Sequence, residues 1–270
     1  MEEVKDIRDI QMISLKILEY VDKICRENNL KYSLVGGTLI GAIRHKGFIP
    51  WDDDVDIMMP RPDYEKFLEI MDKTESKKYK ALYFSDKYPN YTYPFIKVVD
   101  LDTELYEKDF LRNEHMGVFI DIFPADGYDE KKSRKTIKKV HNLRAMCALS
   151  ISKGNLKKPN QFLKNTLKFF LSFIAKPLGY KFWLKKIDKQ VKKCKYEDYD
   201  LSASYSGSYM YKEIFSKSLF DELIDVKFEN KNFLAFKNYD TYLTNIYGDY
   251  MTPPPEDKRN PHHGLKIYKK

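Results

Sequence analysis

Apolar positions recur at three- and four-residue intervals from the start of the chain. Ile7, Ile10, Ile17, Leu18, Val21 and Ile24 share one face of a helix over about residues 6 to 27, which Glu27-Asn28-Asn29 ends. The period then changes. Tyr32-Ser33-Leu34-Val35 reads as a short buried strand running into a Gly36-Gly37 turn, after which Thr38 is expected to cap a helix reaching Arg44. Past a loop holding Gly47 and Pro50, Asp54-Val55-Asp56-Ile57-Met58-Met59 opens by alternating carboxylate with apolar residue until Pro60 stops it, the pattern of a strand with one functional face. Asp63 is expected to cap a helix that turns Tyr64, Phe67, Leu68 and Met71 inward. Pro94 to Val99 and Val118 to Phe123 read as two more strands, the second carrying Asp121 between Ile120 and Ile122.

Residues 1–128 thus form an α/β unit. Residues 129–200 follow a mainly helical pattern with breaks expected at Gly154, Pro159 and Pro177-Leu178-Gly179. Residues 201–270 hold a Ser/Tyr-rich stretch, a hairpin over Asp225 to Phe236, a helix through Tyr239 to Ile246 and a proline-rich end. They are too few to fold alone, so they are expected to pack back on the first unit. No repeat or low-complexity tract is visible.

Charge divides the chain in the same way. The net charge is +8, yet residues 131–195 hold 20 Lys and Arg against one acid, Asp188, so the remainder is net acidic. Such a block favours an anionic partner: phosphate, nucleic acid or a membrane surface. Its aromatics (Phe162, Phe169, Phe170, Phe173, Phe182, Trp183) interleave with lysines, the composition of a helix that lies in an anionic headgroup region. The longest stretch without charge, Tyr32 to Ile43, is too short to span a bilayer, and the start lacks an apolar leader core, so a cytoplasmic protein is expected. Cys25, Cys147 and Cys194 are too few for a disulfide framework or a cysteine zinc site and are expected to be free and buried.

Chemistry concentrates where strand, Gly36-Gly37-Thr38, helix and Asp54-x-Asp56 follow one another, with Asp121 on a later strand. Carboxylates two apart on a strand point the same way, so Asp54 and Asp56 can hold one or two hard divalent cations, Mg²⁺ or Mn²⁺, and Asp121 can close the site. Asp52, Asp53, Asp54 and Asp56 would repel one another if buried without a cation. The glycines let backbone N–H groups approach a phosphate at a helix start. Together these parts describe a phosphoryl-transfer site. No Walker loop, GxGxxG or GxSxG is present, which argues against P-loop kinases, nicotinamide dehydrogenases and serine hydrolases.

The run from Val35 to Ile57, with GGTLIGAIRHKGFIPWDDDVDI at its heart, closely resembles the signature of the LicD family. So do Arg61-Pro62-Asp63-Tyr64, Phe119-Ile120-Asp121-Ile122-Phe123-Pro124, and Tyr247-Gly248-Asp249-Tyr250-Met251 followed by Pro253-Pro254, Arg259 and His262. The resemblance covers the first 128 and the last 35 or so residues and is weak across the basic middle. It implies a nucleotidyltransferase (polymerase β-like) fold, a mixed sheet with flanking helices, here carrying a basic helical insertion. It implies transfer of a phospho-alcohol, first of all phosphocholine from CDP-choline, onto a sugar hydroxyl of a surface glycoconjugate such as teichoic acid or lipopolysaccharide, with release of CMP. Phosphoethanolamine, phosphoglycerol or phosphoribitol are alternative cargoes. A plain nucleotidyltransferase using a nucleoside triphosphate is a rival, and a nucleic-acid-binding module a remote one; no nucleic-acid partner is expected.

Under that resemblance Asp54 and Asp56 are expected as metal ligands, Asp121 as third ligand or general base, and Asp52 and Asp53 as strand-entry caps or ligands of a second ion. Arg44 and His45 are placed to contact the diphosphate, with Lys97 a weaker phosphate candidate. Arg259 and His262 are expected to reach the site from the tail. Trp51 is expected to stack on cytosine or to enclose a trimethylammonium group, with Tyr247 and Tyr250 completing a cage. The acceptor is expected to be a glycan, one form being polyprenyl-linked at the inner membrane leaflet, which would give the basic block its use.

Overall fold

The computed structural model describes residues 2–106, 116–131, 133–152, 162–259 and 266–270. After strand β1 (Glu2–Val4), Asp6 starts helix α1 (Ile7–Glu27) by accepting the Arg8 N–H on its carboxylate at 2.8 Å. Leu15, Ile17, Leu18 and Val21 on its inner face are fully buried. Strand β2 (Ser33–Leu34) leads through Val35 straight into helix α2 (Gly36–Ile40), which continues as a π-helical turn over Gly41–His45 and ends at Lys46, φ 60°. Thr38 therefore lies inside the helix and does not cap it. Its hydroxyl accepts the Asp56 N–H at 2.9 Å, because that amide begins the next strand and needs an acceptor.

Strand β3 (Asp56–Pro60) passes into helix α3 (Arg61–Lys73), whose second residue is Pro62. Proline's fixed φ suits a first helical turn, so the helix starts two residues before Asp63, which sits in that turn and not at the cap. Strands β4 (Tyr79–Leu82), β5 (Ile96–Asp100), β6 (Thr103–Tyr106) and β7 (Phe119–Tyr128) follow. The central sheet runs β2-β3-β7-β5-β4; β3 and β7 are parallel, and the other neighbours antiparallel. It is a mixed sheet with flanking helices.

Beyond the sheet, helices α4 (Ser133–Ile151) and α5 (Phe162–Val191) pack on each other around their own small core of Ile137, Val140, Tyr180, Trp183, Leu184 and Ile187. Gly179 (φ 69°, ψ 161°) breaks α5 at the expected Pro177-Leu178-Gly179 position; the expected breaks at Gly154 and Pro159 lie outside the described residues. The rest of the chain returns to the first unit. Strand β8 (Leu201–Ala203) pairs with the far end of β7 and with β9 (Ile214–Ser216). The hairpin β10 (Leu223–Phe228) and β11 (Lys231–Phe236) buries Phe228, Phe233 and Phe236 in the main core, beside helix α6 (Tyr239–Tyr247). Strand β12 (Lys266–Lys269) lies between β1 and β6, so both ends of the chain share one small sheet. Cys25 and Cys147 are buried and free. Cys194, expected to be buried, is only half-buried, with Sγ 3.3 Å from the Ser133 hydroxyl.

Candidate active site

Strand register assembles the charged centre. Parallel pairing sets Asp56 of β3 opposite Asp121 of β7, and antiparallel pairing sets Lys97 of β5 opposite the same Asp121. The Asp121 N–H donates to the Val55 carbonyl at 2.9 Å, which extends the alignment back toward Asp54. Asp54, Asp56, Asp121 and Lys97, with Gly36, line one cavity of about 300 Å³. Lys97 is buried and pairs with Asp121, Nζ to Oδ1 2.6 Å, while its ammonium lies 3.4 Å from the centre of the Phe119 ring and 4.5 Å from that of Tyr93. Burial pushes the Asp56 carboxyl well above the usual range. Asp54, Asp121 and Asp52 push it further by repulsion, and Lys97 opposes them.

Gly36 has φ +59°, and a Cβ there would stand 3.1 Å from Asp56 Oδ2; a Cβ on Gly37 would run into the Asp52 carboxylate. The pair thus makes room for two carboxylates at the mouth of the cavity.

Asp54, Asp56, Ser208, Tyr209 and Tyr247 also line a second cavity of about 600 Å³, so the two are halves of one cleft that meet at the carboxylates. Arg44, Trp51, Asp52 and Tyr250 belong to this outer half. Arg44 donates to the Tyr250 carbonyl at 2.7 Å, and burial together with the nearby Arg259 lowers its pKa. His45 is also lowered, by burial and by Arg44, and its ring meets Trp51 edge-on at 6.4 Å. The Arg259 guanidinium lies over Trp51 at 5.1 Å, so one ring already receives a cation from the tail. Tyr209 meets Tyr247 edge-on at 5.0 Å between the two halves. Asp53 lies apart, bordering a small gap beside Ile10 and Leu105, and His262 lies outside the described residues.

The structure adds residues that sequence reasoning did not single out. Arg144 from α4 and the Ser204–Tyr209 segment with Glu213 form the wall facing the carboxylates. Arg144 donates to the Gly207 carbonyl at 2.6 Å, and burial lowers its pKa despite the nearby Glu213. Glu213 accepts the Tyr209 N–H at 2.7 Å, and burial pushes its carboxyl up to about 7. The Ser/Tyr-rich composition of that stretch was the only signal. Arg144 was one cation among 20.

The donor chemistry suits a hard divalent cation: Asp54 and Asp56 line the cleft, and the crowded Asp56 would be relieved by positive charge. Among the described residues, no three His, Cys, Asp or Glu side chains form a group that could hold a metal ion. Asp121 is engaged by Lys97. Two carboxylates completed by substrate phosphates is the usual way Mg²⁺ is held, so the residues fit that ion.

A family model described as "LicD/FKTN/FKRP, nucleotidyltransferase domain" matches residues 29–153. The lipopolysaccharide cholinephosphotransferase LicD of Haemophilus influenzae is 34% identical over 267 residues, 97% of each chain. Uncharacterized proteins of Rickettsia typhi and Rickettsia prowazekii are each 29% identical, over 117 and 115 residues, 43% of this chain and 35% and 40% of theirs. The chain belongs to the LicD family.

Proposed function

We propose, from this family membership and the carboxylate cleft, that the protein transfers phosphocholine from CDP-choline to a sugar hydroxyl of lipopolysaccharide or another surface glycoconjugate, such as teichoic acid. The observation that carries the reading is the meeting of Asp54 and Asp56 at the seam of a two-part cleft, with Asp121 beside them in its inner half, in a chain similar along its length to a cholinephosphotransferase. Two substrates must meet at one phosphorus, and a seam between two cavities is where they would. The fold is then of the nucleotidyltransferase, polymerase β-like type, with the sheet presenting its carboxylates as such enzymes do.

In the reaction the acceptor oxygen bonds to the choline-bearing phosphorus and the bond from that phosphorus to the bridging oxygen breaks. CMP leaves with the bridging oxygen and its electron pair, and the hydroxyl proton passes to a carboxylate. Asp54 and Asp56 would hold Mg²⁺, which when bound neutralises charge on the diphosphate. Asp121, held by Lys97, lines the same cavity, which supports its role as the base that takes the hydroxyl proton. Lys97, in the same cavity, holds Asp121 in place. On the opposite wall Arg144 supplies the cation for the donor's diphosphate, a bidentate role that fits its planar fork. Arg44 and Arg259 line the approach around Trp51, where their charge draws in an anionic nucleotide.

The test is direct. The protein with Mg²⁺ and a lipopolysaccharide acceptor is incubated with CDP-choline, CDP-ethanolamine, CDP-glycerol, CDP-ribitol or CTP. CMP release, greatest with CDP-choline, is expected. CMP release with another CDP-alcohol alone reassigns the cargo, and pyrophosphate from CTP overturns the reading in favour of a plain nucleotidyltransferase.

A further inference from the structure

Among the described residues eleven large hydrophobic side chains are exposed, and seven of them lie between Leu167 and Phe182 on α5. Phe169, Phe170, Phe173 and Ile174 are 60, 62, 62 and 56% exposed. Phe169 lies edge-on to Phe170 and Phe173 at 5.8 and 4.9 Å, so these rings touch one another while remaining open to solvent. Positions 170, 174 and 178 form one ridge and 169 and 173 its neighbour, so the apolar face is continuous. A monomeric soluble protein rarely leaves such a face open without a use.

The break in α5 explains why this half stays uncovered. Pro177 and the non-helical Gly179 interrupt the hydrogen-bond ladder, and the Ala175 carbonyl takes the Trp183 indole N–H at 3.1 Å. Past the break Trp183, Leu184 and Ile187 are buried against α4. Before it, among the described residues, only Ala175 is fully buried.

Charge decides the occupant. Lys176 follows Phe169 and Phe173 on the same face, the Lys186 ammonium lies 5.3 Å from the Phe182 ring, and no acid occurs between residues 131 and 187. A second copy would bring lysines against lysines. No helix among the described residues is long and apolar enough to cross a membrane. An apolar face rimmed by cations alone matches acyl chains beneath anionic headgroups, with the helix lying in the plane of the surface.

We propose that the first half of α5 is an in-plane anchor that docks the protein on an anionic lipid bilayer. Leu184 and Ile187, beyond the break, line a pocket of about 410 Å³ that shares Tyr93, Phe95 and Arg144 with the carboxylate cleft. The second half of α5, beyond the anchor, thus borders the cleft. This stands on the exposed face alone and does not depend on which group the cleft transfers.

The experiment is sedimentation of the full chain with phosphatidylcholine vesicles, with and without about one-third phosphatidylglycerol. Binding to the anionic vesicles at least about tenfold stronger than to the neutral ones is expected. Substituting Phe169→Ser, Phe170→Ser and Phe173→Ser together should weaken it at least about tenfold, with circular dichroism unchanged. Gln at Lys168, Lys176, Lys181 and Lys185, surface changes that leave the apolar face intact, should remove its salt dependence. Wild type remaining in the supernatant, sedimentation unaltered by both variants, or a solution dimer that the Phe variant makes monomeric would each overturn the proposal. None of these readouts uses turnover, so they fail independently of the transferase reading.

Discussion

The carboxylate cleft and the first half of α5 depart in opposite directions from the rule that builds α1, where apolar side chains face in and charges face out. At the sheet centre charge is drawn inside: Lys97 is 2% exposed, and Asp56 sits among three other carboxylates. On α5 aromatic side chains are left outside. Exposed single apolar residues and paired buried charges are ordinary; a crowded buried carboxylate and a contiguous exposed aromatic face are not. Neither arrangement helps the chain fold, so each marks a place where the molecule is shaped for something it meets.

The sharpest way to break the comparison is to neutralise the cleft. Asp56→Asn should lower CMP release at least about 10³-fold, roughly 4 kcal/mol in the barrier, while urea stability holds or rises, because a neutral amide replaces a carboxylate that burial and repulsion disfavour. Folded variant retaining turnover within about tenfold of wild type would remove Asp56 from the reaction. Next comes Lys97→Met, which strands Asp121 beside Asp56 and should destabilise the protein by about 3–5 kcal/mol in urea unfolding. Adding Asp121→Leu should recover much of that loss, since both charges of the pair are then gone. A double variant as unstable as the single would mean that Lys97 matters for packing on Phe119 and Tyr93, not for charge.

Both departures were partly legible in the sequence, for different reasons. The period-two spacing of Asp54 and Asp56 and the lone Asp121 between isoleucines predicted strands for all three; Asp56 and Asp121 are on strands whose register brings them to one cavity, whereas Asp54 lies two residues before β3 begins and lines the same cavity from the loop. The interleaved phenylalanines and lysines of residues 157–195 marked an amphipathic helix, but not which half would be covered; that was decided by the break at Gly179 and by α4. Thr38 and Asp63 were misplaced as caps because local preference cannot see the Asp56 amide or the reach of Pro62 into the first turn. The pairing of Lys97, a weaker phosphate candidate in the sequence, with Asp121 was not visible because it spans 24 residues. Strands β1, β6 and β12 carry too little pattern to be found before their partners are known, and Arg144 is indistinguishable in sequence from the solvated lysines around it.

The wall facing the carboxylates gives a smaller, pH-dependent effect. Glu213 has a folded pKa of about 7 against an ordinary value of 4.5, so between those values the folded state holds a proton that the unfolded chain releases. Stability from this group is therefore fully present below about 4.5 and declines as pH rises through 7, by at most about 3 kcal/mol. Glu213→Gln cannot titrate and keeps an acceptor for the Tyr209 N–H. The difference in urea midpoint between wild type and variant should shift in favour of the variant from pH 5 to pH 7.5. A constant difference across that range would show that the Glu213 charge is balanced in the fold.

The other half of the comparison is tested within a single helix, where the smallest effect is expected at Phe170. Leu184, 1% exposed beyond the break, should cost about 2–5 kcal/mol when cut to alanine, because its cavity cannot close fully. Phe170, 62% exposed before the break, should cost no more than about 0.5 kcal/mol, although it is the larger side chain. Thermal or urea unfolding of the two variants in the absence of lipid reads the contrast directly. A Phe170→Ala loss comparable to that of Leu184→Ala would mean that the aromatic face packs against this same chain in solution. The exposed half of α5 would then be part of the core, and the charge-bearing cleft would be left as the molecule's one departure from ordinary burial.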